Sequence, residues 1–465
     1  MENYTGLAIS GLDEFVFGRC PRPLKVGRGL VLGDGTVYPE LNFTLPPMHI
    51  DAGTMVDVRR EYTEMIDQAC ARAVALQVPG LVVEFELLPD LTLQPEWGAE
   101  VTAVLRQALD RYAARDGLAN ALRVTPNDIR EFVRPPVLRE GDKWDQMVSS
   151  FELCADAGAD LLSIESTGGK ELHDDALLNA DLAGSVFALG ILAARDMAYL
   201  WDMIVAVAAG HGALAAGDSA CGFGNTAMAL ADTRHIPKVW AAVVRVMTVP
   251  RSLVAYERGA LGPGKDCAYE NVYLKAITGH PMAMEGAEAA CAHLSPLGNI
   301  AKATADLWSN ESVQNIKLLG GMAPTVSMEQ LAYATRLLNQ AAQAGGATTL
   351  RDWLVASDMD KDPQAYVLRP DVVLKLAAAI VAEPTAYLRT RRAALAGLEA
   401  LRQGHAEKAF ALSKPEANWL DRLSAQAEDL PEDEERFIGE MVAGADRDKV
   451  RFDQYGLPAV SARRP

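Results

Sequence analysis

A chain of 465 residues with 44 Lys and Arg against 62 Asp and Glu carries a formal net charge of −18. That acidity excludes a nucleic-acid binder, whose affinity depends on basic side chains displacing counterions, and it disfavours anionic membrane surfaces. With 49% hydrophobic and 23% charged residues, the composition is that of a globular protein with a large core, not of a disordered chain. Length alone points to about three domains, although one α/β barrel can run to about 250 residues. The first residues include Glu2 and Asp13 and no basic stretch, so no signal peptide is expected there. The longest apolar stretch, Val186 to Ala209, is interrupted by Arg195, Asp196 and Asp202, and no membrane span is expected. Six cysteines stand at 20, 70, 154, 221, 267 and 291 with no C-x-x-C pair. This is neither a disulfide framework nor a zinc ribbon, and it suits a reducing cytoplasm.

Residues 1–45 read as an N-terminal extension. Its Leu30-Val31-Leu32 and Val37-Tyr38 runs flank Gly33-Asp34-Gly35-Thr36, a hairpin signal. Asp57 to Val78 has helical spacing. Short apolar runs then alternate with helical stretches: Val82–Leu87, Leu122–Val124, Leu161–Ile164, Val186–Leu192, Ala213–Ala216, Ser252–Tyr256, Met282–Glu285 and Val313–Leu319. Strands alternating with helices imply parallel βαβ units, and eight of them predict an α/β fold of the (β/α)8 barrel type, with an open doubly wound sheet as the alternative. From residue 327 onward only helices are expected, so the chain divides into 1–326, extension plus barrel, and 327–465, a helical layer that packs on the barrel, docks a partner, or does both.

Two motifs fail on inspection. Gly259-Ala260-Leu261-Gly262-Pro263-Gly264-Lys265 resembles a P-loop, but Asp266 stands where a Ser or Thr hydroxyl is required, and Pro263 lacks an amide donor. Asp358-Met359-Asp360-Lys361-Asp362 opens like a calcium loop, but Pro363 and Arg369 occupy the Gly and Glu positions.

In a barrel, chemistry sits at the C-terminal ends of the strands. Those ends carry Glu165 to Glu171, Gly217 to Asn225 with Cys221, Glu257 to Cys267, and Gly286 onward with Cys291 and His293. Cys221 and Cys267 each stand in a glycine-rich stretch just before a helix, where the dipole favours thiolate. Two thiolates and a carboxylate from three strand ends make a three-ligand site with an open fourth position, the catalytic zinc pattern, and thiolates select zinc over magnesium or calcium. Cys291 with His293 is a weaker rival pair. Cys20, Cys70 and Cys154 read as core residues. Alternation puts Glu84 and Glu86 on one strand face, where a buried hydrogen-bonded network is the simpler reading.

Several stretches together resemble the methanol–corrinoid protein methyltransferases: Leu161-Leu162-Ser163-Ile164-Glu165-Ser166 with Gly168-Gly169-Lys170-Glu171, Ala216-Gly217-Asp218 with Cys221, Ser252 to Glu257, Gly262-Pro263-Gly264-Lys265-Asp266-Cys267, Met284-Glu285-Gly286, and Trp308-Ser309-Asn310-Glu311-Ser312. The similarity runs through most of the chain and weakens in the C-terminal helices. The resemblance implies a TIM barrel and one Zn2+ held by Glu165, Cys221 and Cys267. It implies methyl transfer from methanol to the corrinoid (cobalamin, as cob(I)amide) of a partner corrinoid protein, in a homo-oligomer or a heterotetramer with that protein. Zinc would polarise the methanol oxygen, and Asp218, Glu257 and Lys265 are the candidate proton donors to it. Asp218 is alternatively an orienting partner of a zinc ligand. Around Cys221 the sequence departs from the family, with Ser219-Ala220 before it and Phe223 after it, and Leu294-Ser295-Pro296 is also unusual. If these line the pocket, they favour a donor larger or less polar than methanol, such as a methoxylated compound. A non-catalytic docking protein is the reading from a different class.

Overall fold

The computed structural model describes residues 2–217, 220–264, 269–285, 298–304, 307–309 and 322–457. Its N-terminal hairpin pairs β1 (Arg19–Val26) antiparallel with β2 (Leu30–Asp34). The turn is Gly27-Arg28-Gly29, not the expected Gly33–Thr36, which instead leads into β3 (Tyr38–Phe43). That strand opens the main sheet and is buried at all six positions. It escaped the apolar-run reading because Glu40 and Asn42 interrupt it, and both find polar partners inside the fold.

The main sheet continues with β4 (Leu81–Glu86), β5 (Asn120–Thr125), β6 (Leu161–Leu162), β7 (Leu214–Ala215), β8 (Ala283–Glu285) and β9 (Leu307–Ser309). Among the described residues these are seven parallel strands in the order β7-β6-β5-β4-β3-β9-β8. Beyond β7, Gly217 bridges in parallel to Gly264, and the Ala283 amide donates to the Gly264 carbonyl at 3.1 Å. The hairpin packs at the start of these strands: Val26, Leu30 and Leu32 form a cluster with Tyr38, Val82, Ala121, Leu161, Ala216 and Ala283. Above this cluster the strand interior is polar. Arg123 and Glu40, both fully buried, form an ion pair at 3.0 Å. The Thr125 hydroxyl donates to Glu84 Oε1 at 2.9 Å, and Asn42 Nδ2 donates to Glu86 Oε1 at 3.1 Å. The network expected for Glu84 and Glu86 is therefore present.

Two of the expected strands are helical. Val186–Leu192 belongs to Leu182–Phe187 and the wider π turn Ala188–Ala193, which run on into Ala194–His211. Ser252–Tyr256 lies inside the helix Lys238–Arg258. Periodicity cannot separate a short buried apolar run in a strand from one in a helix; here each run is part of a much longer stretch, which favours the helix. Val313–Leu319 lies outside the described residues.

The helix Lys238–Arg258 is long and apolar enough to span a membrane by length and composition, yet its most apolar window is 100% buried within the protein. Part of that cover comes from the C-terminal region: Ala386–Ala406 lies along it, with Arg389 Nη1 2.6 Å from Glu257 Oε1 and Gly397 facing Val246. Ala323–Gln343 instead packs on β3 and Met55–Ala75, and Asn339 hydrogen-bonds both backbone groups of Val37. The segment Asp358–Asp362 joins two helices, with the Asp362 carboxylate capping Pro363–Tyr366 through the Gln364 amide.

At Gly397 a Cβ would meet Val246 Cγ2 at 3.6 Å, an ordinary contact. Gly397→Ala is expected to raise stability by up to about 1 kcal/mol through helix propensity. Gly397→Leu is expected to lower it by roughly 1–3 kcal/mol, because the added carbons must displace buried Val246. Thermal unfolding of the two variants checks this, and a stabilised leucine variant would contradict the packing.

Candidate metal centre at the strand ends

β6 and β7 are neighbours, and each contributes only two residues to the ladder. The loops that follow them need other supports. Ser163 Oγ donates to the Gly217 carbonyl at 2.9 Å and joins the two loops directly. Glu165 comes next on the first loop and opens into a cavity of about 200 Å3, whose lining includes Glu86, Asp128, Glu131, Lys170 and Gly222. Cys221 begins a turn of wide helix, Cys221–Asn225, that feeds Thr226–Asp232. Asn225 Nδ2 is directed at Cys221 Sγ at 3.7 Å. Glu165 and the backbone beside Cys221 thus share one cavity at adjacent strand ends.

Buried charge holds the Glu165 loop. Arg130, fully buried, pairs with Asp128 at 2.7 Å and with Asp196 at 2.8 Å. Asp128 Oδ2 then accepts from the Thr167 amide and hydroxyl, each at 2.9 Å. Burial alone would raise the Asp128 carboxyl, but the Arg130 charge and the hydrogen bonds outweigh it and hold the group below the usual carboxylate range. Gly168 lies so close to the Asp196 carboxylate that a Cβ would collide with it, and Gly169 takes φ +87°. From the far end of the chain, Tyr455 hydroxyl accepts from the Gly169 amide at 2.8 Å and donates to Glu171 Oε1 at 2.6 Å. Lys170 Nζ is held by Asp174 at 2.6 Å, with its stem passing Gly222. Burial raises the Glu131 and Glu171 carboxyls.

Of the expected site residues, Glu165 and Cys221 are brought to one region. Cys267, Asp218 and Lys265, with the rival pair Cys291 and His293, lie outside the described residues. Among the described residues no group of three or more His, Cys, Asp or Glu side chains is arranged to hold a metal. Glu257 is misplaced as a proton donor. It lies at the end of the helix Lys238–Arg258 and does not line the cavity into which Glu165 opens. There it pairs with Arg389. Phe223 does not widen the donor pocket: it is fully buried, beneath the Arg251 guanidinium at 4.8 Å and against His173 at 5.0 Å. Cys20, Cys70 and Cys154 are buried as expected, and burial pushes the thiols up to about 12 at Cys70 and about 11 at Cys154.

Sequence reasoning missed Asp128, Arg130, Asp196, Arg251, Glu270 and Tyr455. Asp128 and Arg130 follow the Leu122–Val124 strand, so the strand-end rule applied there would have found them. Arg251 was hidden by reading Ser252–Tyr256 as a strand. Nothing local marks Tyr455.

A family model described as methanol-cobalamin methyltransferase B subunit matches residues 1–456. A methanol–corrinoid protein co-methyltransferase of Methanosarcina barkeri is 38% identical over 442 residues, spanning 94% of this chain and 95% of that one. In the crystal structure of the methanol:cobalamin methyltransferase complex MtaBC from Methanosarcina barkeri, a chain 35% identical superposes with a TM-score of 0.92, covering 98% of this chain and 100% of that one.

Tyr455→Phe is expected to cost roughly 1–3 kcal/mol by leaving the buried Gly169 amide without its acceptor, read as a lower unfolding midpoint. An unchanged midpoint would show that the tail does not hold the loop. A second outcome concerns pH. His280 is buried, and desolvation with the Arg22 charge depresses its imidazole from 6.5 to about 4. A depressed base contributes stability above its unfolded value and loses it as pH falls through the folded one. Between pH 6.5 and 4 the protein should therefore lose on the order of 3 kcal/mol that a His280→Gln variant does not lose in that window. Parallel acid titrations of unfolding midpoints measure the difference.

Proposed function

The chain belongs to the methanol-cobalamin methyltransferase B-subunit family, and from that membership we propose that it transfers the methyl group of methanol to the cob(I)amide of a partner corrinoid protein. The observation that carries the site is the convergence of Glu165 and the Cys221 turn on one cavity at adjacent strand ends. We assign Glu165, Cys221 and Cys267 as ligands of a zinc ion. The residues fit that group: the Glu165 carboxylate lines the cavity, the Cys221 sulfur stands beside Gly222 of the same lining, and the amide of Asn225 is directed at that sulfur. Bound there, zinc supplies Lewis acidity to the methanol oxygen, whose departure as hydroxide is otherwise prohibitive.

The chain's own residues do the rest. The Thr167, Gly169 and Ser163 contacts hold the loops rigid before substrate arrives, so little reorganisation accompanies reaction. Asp174 keeps the Lys170 ammonium at the cavity wall, where its charge favours negative charge on the donor oxygen. Asp218 and Lys265 are the proposed sources of the proton for that oxygen. The partner's docked corrinoid would close the open end of the cavity and exclude water.

We further propose that the sheet closes as a (β/α)8 barrel, with the Gly262–Gly264 segment as its eighth member. The reading is supported by the Gly217–Gly264 bridge on one side, the Ala283–Gly264 hydrogen bond on the other, and Asn271 Nδ2 donating to both the Gly264 and Ala283 carbonyls at 2.8 and 2.9 Å.

Cys221→Ala and Cys267→Ala should each lose zinc and methyl transfer while staying folded, with turnover followed by the cobalamin spectrum. X-ray absorption of the wild type should show about two sulfurs near 2.3 Å. A variant that keeps a full equivalent of zinc and the wild-type rate removes that cysteine from the ligand set.

A further inference from the structure

The loops that carry Glu165 and Cys221 are joined a second time, deeper in the fold. Arg251, fully buried in Lys238–Arg258, donates from Nη2 to the Ser166 carbonyl at 2.9 Å and to Ser166 Oγ at 2.6 Å. Its Nη1 reaches Ser252 Oγ at 3.3 Å. Ser252 Oγ donates to Glu270 Oε1 at 2.9 Å, and the same oxygen accepts from the Ala220 amide at 2.6 Å. The Arg251 guanidinium also lies 4.8 Å over the Phe223 ring. One continuous run of contacts thus starts at the residue after Glu165 and ends at the residue before Cys221. Its members Arg251, Ser252 and Glu270 are all fully buried.

We infer that Arg251 and Glu270 are positioning residues that set the separation of Glu165 from Cys221. The inference rests on the zinc reading above. The planar guanidinium is suited to the task because it presents several donors in a fixed fork, which a lysine cannot do. Its anchors are a helix interior and the residue that caps Asn271–Thr278. A metal site on loops needs ligands held to about 0.5 Å, and loss of such outer partners typically weakens metal binding about 10–100-fold.

The experiment measures zinc affinity by competition with a chromophoric chelator, and the visible spectrum of the cobalt(II)-substituted protein, in Arg251→Lys, Glu270→Ala, Glu270→Gln and Ser252→Ala. Arg251→Lys and Glu270→Ala should bind zinc about 10–100-fold more weakly and shift the cobalt ligand-field bands, which a loss of stability alone would not move. Glu270→Gln should restore near-wild-type affinity, because its amide oxygen accepts from the same two donors. Ser252→Ala removes only a hydroxyl and should weaken binding several-fold. It decides the matter if the larger changes do not fold. Wild-type affinity and spectrum in Arg251→Lys, Glu270→Ala and Ser252→Ala, alongside a Cys221→Ala control that loses metal, would overturn the brace while sparing the zinc reading. A Cys221→Ala control that keeps its metal would overturn the zinc reading and the brace together.

Discussion

The guanidinium of Arg130, closed off from water and gripped by Asp128 on one side and Asp196 on the other, is the interaction on which the front of this protein depends. Removing three charges from water is expensive, and it is tolerated only where geometry and hydrogen bonding are complete. Here they are nearly so. Both carboxylates meet the guanidinium in paired fashion, Nη1 also reaches the Leu138 carbonyl at 3.1 Å, and the remaining capacity of Asp128 is spent on Thr167. The strands beneath cannot do this work, since β6 and β7 supply two ladder residues each. Order at Glu165 is therefore imported from buried ionic groups on the neighbouring loop and helix.

The same logic explains why so much helix follows the sheet. Lys238–Arg258 carries Arg245, Arg251 and Ser252 inward to polar partners and an apolar surface outward. Left in water, that surface would be an exposed patch large enough to invite association. Ala386–Ala406 covers it, and the chain then continues to Tyr455, which returns to the Glu165 loop. The C-terminal region thus supports the site from two directions: it seals the helix that bears Arg251, and it ties down Gly169.

Function follows from this division. Adjacent strand ends bring the Glu165 carboxylate and the Cys221 turn to one cavity, polar residues such as Glu86 and Asn42 fill the strand interior below, and the hairpin packs against the start of the strands. The cavity is consequently approached from its open end, where a bulky cofactor on a second protein would come. Phe223, buried two residues after Cys221, is not part of the cavity lining.

Much of this was legible in the chain. Regular alternation of apolar runs and helical stretches established a parallel α/β sheet, and the glycine-rich segments after those runs pointed to Glu165 and Cys221, because residues at strand ends and helix starts are local features of sequence. The identity of individual strands was not all local. Tyr38–Phe43 was passed over because Glu40 and Asn42 look exposed until Arg123 and Glu86 are seen beside them. Ser252–Tyr256 looked like a strand because burial on all sides erases helical periodicity. By itself the sequence determined the acidity, the fold class and the two strand-end segments that meet at the cavity. Only tertiary structure decided which buried charges hold them, since Asp128, Arg251, Glu270 and Tyr455 are separated by up to 327 positions along the chain, and no local pattern records a contact made through space.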